Sequence, residues 1–348
     1  MPDATDLVLV TGGTGHIGFC VLRHALEHGY AVRAAIRSEA KAKAVKDTVQ
    51  SLNISGHLEF VVVPDFAVPN AFDKAVSGVK YIIHVASPLP TTGSDDDDLQ
   101  ERLVKPAIQG TVGLFESAKR AGMVERIVLT SSIAANHPNS AWFEPTDTVY
   151  KPEDRLDRIQ PPYPDRIAAY CASKIAALSH AEAFIKEQNP GFDAIYIMPS
   201  FVLGRDDLCH STARFMEGTN MLVVAQALGV DYPQAPTRGN NFVSVDDVAR
   251  VHVLSLDKSR VVGNQSFIVS NSGDDGMEWN DTNEIVKRRF PKQVEKGIFP
   301  ANGHSNSAIV KLNASKTEKV FGFKHASFEE CVVGVCGHYL ELLEKEKK

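Results

Sequence analysis

The sequence predicts an α/β protein built on a doubly wound parallel sheet, with a smaller carboxyl-terminal lobe. Three observations carry that prediction. The apolar run Leu7-Val8-Leu9-Val10 reads as a fully buried strand, and a glycine-rich turn follows it at once. Further Val- and Ile-rich runs then alternate with helical stretches as far as Pro199. Past Pro199 the alternation fades into a segment that mixes Gly, Pro, charge and apolar residues without clear period. Strands alternating with helices imply parallel crossovers, and a strand, glycine turn and helix at the start make the sheet Rossmann-type.

After the glycine turn, residues 19–28 read as a helix that Gly29 stops. Residues 31–36, 58–63, 81–85, 126–130 and 193–198 are the next strands. The run Asp95-Asp96-Asp97-Asp98 leads into a helix around 99–120, where carboxylates suit a helix amino terminus better than they would form a metal site. Residues 266–270 form a strand that returns to the main sheet, 315–321 and 328–344 are helices, and the closing Glu-Lys-Glu-Lys-Lys run is a solvated tail. The expected organisation is a dinucleotide-binding domain over 1–200, to which 241–271 returns, and a substrate-binding lobe made of 201–240 and 272–348.

Composition narrows the class of function. The 348 residues are 43% hydrophobic and 23% charged, and the net charge of −6 predicts no general attraction to nucleic acid or to an anionic membrane. The five cysteines, Cys20, Cys171, Cys209, Cys331 and Cys336, make no CxxC pair, and their odd number argues against a disulfide framework. The amino terminus has no signal-peptide pattern and no apolar run reaches transmembrane length, so a cytoplasmic, small-molecule enzyme is expected.

Thr11-Gly12-Gly13-Thr14-Gly15-His16-Ile17-Gly18 stands between the first strand and the first helix, where glycines let a pyrophosphate approach backbone N–H groups and the helix dipole. The second strand ends at Ile36-Arg37-Ser38. An NAD-preferring site places an acidic residue there; here Arg37, with Lys41 one turn on, offers paired donors to the extra phosphate of NADP. Asp65 after the third strand is either an acceptor for an adenine amino group or a turn cap. Val85-Ala86-Ser87-Pro88 ends the fourth strand with small side chains that leave room for a ribose.

Tyr170 and Lys174 sit four apart on one face of a helical stretch. A nearby ammonium favours a phenolate, so the spacing predicts a lowered phenol pKa and a tyrosine able to hand a proton to a carbonyl. Spacing alone is weak evidence, because chance supplies roughly 0.5 such pairs in a chain of this composition. Order along the chain is stronger. With the glycine loop, Thr130-Ser131-Ser132 after the fifth strand and Tyr170-Cys171-Ala172-Ser173-Lys174 in sequence, the chain resembles the extended short-chain dehydrogenase/reductases over nearly its whole length. Arg37-Ser38, His84-Val85-Ala86-Ser87-Pro88, Lys105-Pro106-Ala107, Pro199-Ser200-Phe201-Val202 and Phe242-Val243-Ser244-Val245-Asp246-Asp247-Val248 make it similar to the dihydroflavonol reductase branch and its yeast and fungal methylglyoxal or aldehyde reductases.

That resemblance implies an NADPH-dependent carbonyl reductase in which Ser132 and Tyr170 hydrogen-bond the substrate carbonyl, Tyr170 is the general acid and Lys174 tunes it. It also implies NADP(H) contacts from Gly12, Thr14, Gly15, His16, Ile17, Arg37, Lys41, Asp65, Phe66, Val85, Ala86, Ser87, Thr130, Tyr170, Lys174, Pro199, Ser200 and Val202, and no metal. Ser244 stands where relatives often have histidine, and Arg205 replaces a frequent proline. The competing readings are a nucleotide-sugar epimerase or dehydratase, against which Ala107 counts, and a non-catalytic NADP-binding sensor. The expected partner is a small carbonyl compound, apolar or aromatic, facing pocket walls drawn from 133–164 and 203–232, with Phe143, Tyr163, Phe215, Met216 and Leu222 as candidates. A monomer or homodimer is expected.

Overall fold

The computed structural model describes residues 6–90, 98–138, 147–230, 238–271 and 276–347. Asp95 to Asp97, Phe143 and Tyr232 lie outside these. Strands β1 (Leu7–Thr11), β2 (Ala31–Ile36), β3 (Leu58–Val62), β4 (Tyr81–His84) and β5 (Arg126–Thr130) follow the predicted alternation. Helices α1 (His16–Glu27), α2 (Glu39–Ser51) and α3 (Lys105–Ala121) separate them, with turns alone between β3 and β4. Later come β6 (Val149–Tyr150), α4 (Arg166–Gln188), β7 (Asp193–Pro199), β8 (Phe201–Leu203), α5 (Thr212–Phe215), α6 (Met221–Ala227), β9 (Arg238–Gly239), β10 (Phe242–Ser244), α7 (Val245–Leu254) and β11 (Gln265–Val269). The chain closes with α8 (Asp281–Arg289), α9 (Pro291–Glu295), β12 (Ser307–Ala308), β13 (Lys311–Leu312), α10 (Ser315–Phe321) and α11 (Phe328–Glu346).

Seven strands form one sheet in the order β11-β7-β5-β4-β1-β2-β3, and the pairings of β1 with β2 and β4, β2 with β3, and β5 with β4 and β7 are all parallel. The winding reverses between β1 and β4, and in such sheets the crevice beyond that reversal is where ligands bind. Helix α1 starts at His16, three residues before the periodicity alone indicated, because the glycine turn is so tight that Gly15 already serves as the N-cap. A single π turn, Gln100–Val104, precedes α3, and the Asp98 carboxylate accepts the Gln100 and Glu101 N–H groups at 3.0 and 3.2 Å. That carboxylate is spent on capping.

The chain divides into two compact units, the first made of 1–137, 152–198 and 249–267, the second of 138–151, 199–248 and 268–348. Residues 138–151, which the sequence assigned to the nucleotide domain, fall in the second unit, where β6 pairs with β13. Of the segment expected to return to the sheet, only 249–267 belongs to the first unit. Periodicity could not place a two-residue strand whose partner lies some 160 positions away.

In the first unit a fully buried Arg126 on β5 joins three parts of the chain. Its Nε and Nη2 donate to Asp193 Oδ1 and Oδ2 at 2.6 and 2.7 Å, and its Nη1 and Nη2 donate to the carbonyls of Ser255 and Val261, both at 2.8 Å. The second unit has its own core, centred on Phe242, Trp279, Phe299, Phe328 and the inner face of α11. Phe215 and Leu222, candidates for the pocket wall, belong to that core. A Ser327–Glu330 capping box starts α11, and Arg205 pairs with Glu341 on the same helix and with Asp207, giving the residue that replaces proline a structural task. All five cysteines are buried thiols. No helix among the described residues is long and apolar enough to cross a membrane.

Arg126→Ala would leave the Asp193 carboxylate and two carbonyls without their donors. We expect a loss of about 3 kcal/mol, the low end for a broken buried pair because Asp193 keeps 17% side-chain exposure. The urea midpoint of unfolding measures it.

Candidate active site

The glycine loop is built from close approaches that exclude larger residues. Gly12 has a φ of +74°, and a Cβ there would lie 2.7 Å from the Ala86 nitrogen; a Cβ on Gly18 would lie 2.0 Å from the Gly12 carbonyl oxygen. The loop therefore lies directly against the backbone that leaves β4. Gly15 has no side chain to cap α1, so N–H donors of the first turn, at Ile17 and Gly18, are left for an outside acceptor. Unused donors at the positive end of a helix fit a pyrophosphate. The second expected contact, Thr14, stands in the same loop.

Beside this loop the first unit holds a cavity of about 190 Å³. Arg37, Asp65 and Phe66 line one side, His84, Ala86 and Ser87 another, and Pro106, Ala107 and Gly110 of α3 a third. Arg37 is exposed, and none of the described carboxylates takes its guanidinium. Lys41, in the first turn of α2, is exposed but is not part of the lining. Asp65 Oδ1 accepts the Ala67 N–H at 2.8 Å, which makes it a turn cap, while the residue also borders the cavity. Val85 donates its N–H to the Thr11 carbonyl at 3.3 Å and does not line the cavity.

Ser132, Tyr170 and Lys174 are brought together within the first unit. Ser132 follows β5, and its Oγ accepts the Ala134 N–H at 3.2 Å, fixing the side chain at the start of a short 3-10 turn. That same hydroxyl acts on the Tyr170 phenol, favouring its ionised form. Lys174 Nζ lies 5.7 Å from the centre of the Tyr170 ring and donates to Ser87 Oγ at 3.1 Å. Asp165 caps α4 by accepting the Ala168 N–H, so both residues ride on the first turns of a well-anchored helix.

The expected lowering of the phenol pKa is corrected by this geometry. Burial pushes Tyr170 up to about 12, against which the Ser132 hydroxyl acts downward. Burial also pushes the Lys174 ammonium down to about 8. Sequence spacing places the ammonium beside the ring but cannot weigh the cost of taking both groups out of water, and here desolvation wins. Tyr170 is thus a protonated donor at neutral pH.

Thr130 does not present its hydroxyl freely: Oγ1 is 2.7 Å from His252 Nε2, and both are buried. Tyr163 donates from its phenol to Gln100 Oε1 at 2.6 Å, tying the chain before α4 to the π turn. Pro199, Ser200 and Val202 lie in the second unit, where Ser200 N–H bonds the Val269 carbonyl at 3.2 Å and Val202 pairs with Val243. Sequence reading assigned no task to two residues of the first unit, His84 and His252. Each pairs with a threonine at a strand end, Thr11 and Thr130, from 73 and 122 positions away. No local pattern signals such a pair; parallel register produces the first of them.

Comparison with known proteins agrees with this arrangement. Residues 8–269 match the model of the NAD dependent epimerase/dehydratase family. The chain is 40% identical to the ketoreductase CTB6 of Cercospora beticola across 99% of this chain and 98% of that protein. It is 33% identical to the NAD-dependent epimerase/dehydratase ALT6 of Alternaria alternata across 93% and 95%. Among solved structures it is similar to the yeast methylglyoxal/isovaleraldehyde reductase Gre2 complexed with NADPH, with a TM-score of 0.80, 25% identity and coverage of 97% of this chain and 99% of that one. A parallel sheet wound in this order, a glycine loop closed against β4 and a serine, tyrosine and lysine gathered beside it place the chain in the NAD dependent epimerase/dehydratase family of extended short-chain dehydrogenase/reductases.

Proposed function

We propose that the protein is an NADPH-dependent carbonyl reductase that converts a ketone or aldehyde to an alcohol, with Tyr170 as the proton donor. The observation that carries this reading is the Lys174 ammonium held 5.7 Å from the ring centre of a half-buried, protonated Tyr170, with the Ser132 hydroxyl acting on the same phenol. NADPH, when bound, supplies the hydride for the carbonyl carbon. The protein's share is to hold the carbonyl oxygen and deliver a proton to it.

Ser132 Oγ receives the Ala134 N–H, so its own proton remains available to an oxygen acceptor. Two hydroxyls at one place are the donor pair that a developing alkoxide requires. A phenol pKa of about 12 keeps Tyr170 an acid throughout the neutral range, and an adjacent positive charge stabilises the phenolate left after transfer. The Lys174 charge is present below its pKa of about 8 and fades as the pH rises through that value. Arg37, at the end of β2 and bordering the cavity, is placed for the phosphate that separates NADPH from NADH. The ketoreductase name of CTB6 and the NADPH bound to Gre2 support the same assignment. With Phe215 and Leu222 in the core, an aromatic substrate loses two of its candidate contacts.

Tyr170→Phe should lower NADPH oxidation with a competent carbonyl compound by at least about a hundredfold while NADPH still quenches or shifts its fluorescence on binding. Turnover like that of the wild type would refute Tyr170 as the donor. The substrate class follows from the same assay run over aliphatic and aromatic ketones, aldehydes, dicarbonyls and nucleotide sugars. Arg37→Asp should cut kcat/KM for NADPH by roughly 10- to 100-fold, the worth of charge-assisted contacts to a phosphate, with little change for NADH. Equal losses with both cofactors would remove the phosphate assignment.

A further inference from the structure

His84 ends β4 directly opposite Thr11 in the parallel register with β1. The ring is 2% exposed, and its Nδ1 lies 2.7 Å from Thr11 Oγ1. Phe72 meets it edge to face, with ring centres 6.1 Å apart. The same threonine oxygen accepts the Ala86 N–H at 3.2 Å, and the Thr11 carbonyl accepts the Val85 N–H. Both N–H groups of the turn leaving β4 are therefore held by one residue. The next residue in that turn, Ser87, is the acceptor for Lys174 Nζ.

We propose that His84 is a positioning residue for Lys174: its ring nitrogen orients the Thr11 hydroxyl, Thr11 fixes Ala86, and the turn so held sets Ser87 beneath the ammonium. This inference rests on reading Tyr170 and Lys174 as the proton-delivery group. Proton accounting supports it. Thr11 Oγ1 accepts the Ala86 N–H on one lone pair, and in the proposed arrangement it gives its single proton to Nδ1, the ring carrying its own proton on Nε2. Burial pushes the His84 pKa down to about 3, and Lys174 on α4, the charged group acting on it, pushes the same way. The ring is neutral at every pH where the protein works, so it orients Thr11 without adding a second positive charge beside Lys174. A plain apolar filler would do neither. Gly12, packed 2.7 Å from Ala86 as a Cβ would see it, leaves the turn no alternative path.

The test uses His84→Phe, which keeps a ring but no acceptor; His84→Asn, whose amide oxygen stands near the place of Nδ1; and Thr11→Val, which breaks the link from the other side. The readouts are the titration of Lys174 by NMR of lysine-labelled, cofactor-free protein, the pH profile of kcat and the urea midpoint. In His84→Phe and Thr11→Val, Lys174 should titrate at least about half a unit lower, because its charged form loses an ordered acceptor. The alkaline limb of kcat should move the same way, so that kcat falls about twofold near pH 8 and about threefold well above it. His84→Asn should restore the titration and most of kcat. The proposal is overturned if Lys174 titrates as in the wild type in either disrupting variant that folds, or if His84→Asn behaves like His84→Phe. A fall in the urea midpoint with unchanged kcat profile likewise assigns His84 to core packing alone. Because the titration is read without cofactor or substrate, its outcome stands apart from that of Tyr170→Phe, which tests the reaction itself.

Discussion

The contact on which the site depends is the backbone approach between the glycine loop and the turn after β4. Gly12 meets Ala86, and Gly18 meets Gly12, at distances that no Cβ can share. This crossing brings the amino terminus of α1, the lining residues Ala86 and Ser87 and the Lys174 acceptor into one neighbourhood. Thr11 locks it with side-chain and main-chain bonds to the same turn. A larger residue at either glycine would separate the helix end from the strand end, and with them the two halves of the cofactor cradle.

Burial sets the character of the reactive groups. Taking a phenol out of water raises its pKa, and taking an ammonium out of water lowers its own, so the two neighbours converge on forms that cost less to bury. Ser132 opposes the first shift and Ser87 gives the ammonium an oxygen partner. The resulting pair holds its proton on the tyrosine at neutral pH. His84 and His252, each bound to a threonine hydroxyl at a strand end, are buried in the same unit.

The second unit shows how a family pattern can change without losing the fold. Where a proline is frequent, Arg205 instead anchors α11 through Glu341, and Ser244 accepts the Asp246 N–H at 3.2 Å, capping the start of α7. Gly204, with a φ of +139° and Asn220 bonded to both its N–H and its carbonyl, preserves the turn that follows β8. Phe215, which looks like a pocket wall in one dimension, is core, with its ring against His338 and Tyr339.

The sequence by itself determined the parallel sheet, the glycine loop and the placing of Tyr170 and Lys174 on one helix face, because each is written in local spacing: apolar runs, turn residues between strand and helix, and a four-residue step; Ser132 entered through the family resemblance. Strand boundaries were legible to within a residue or so for the same reason. Tertiary structure alone decided what lies across the sheet or between distant segments. It turned the phenol pKa upward, since desolvation depends on what surrounds a group. It moved residues 138–151 to the second unit through the pairing of β6 with β13, put Phe215 and Leu222 in a core, and set His84 against Thr11. Each of these follows from three-dimensional proximity between residues far apart in the chain, which no periodicity encodes.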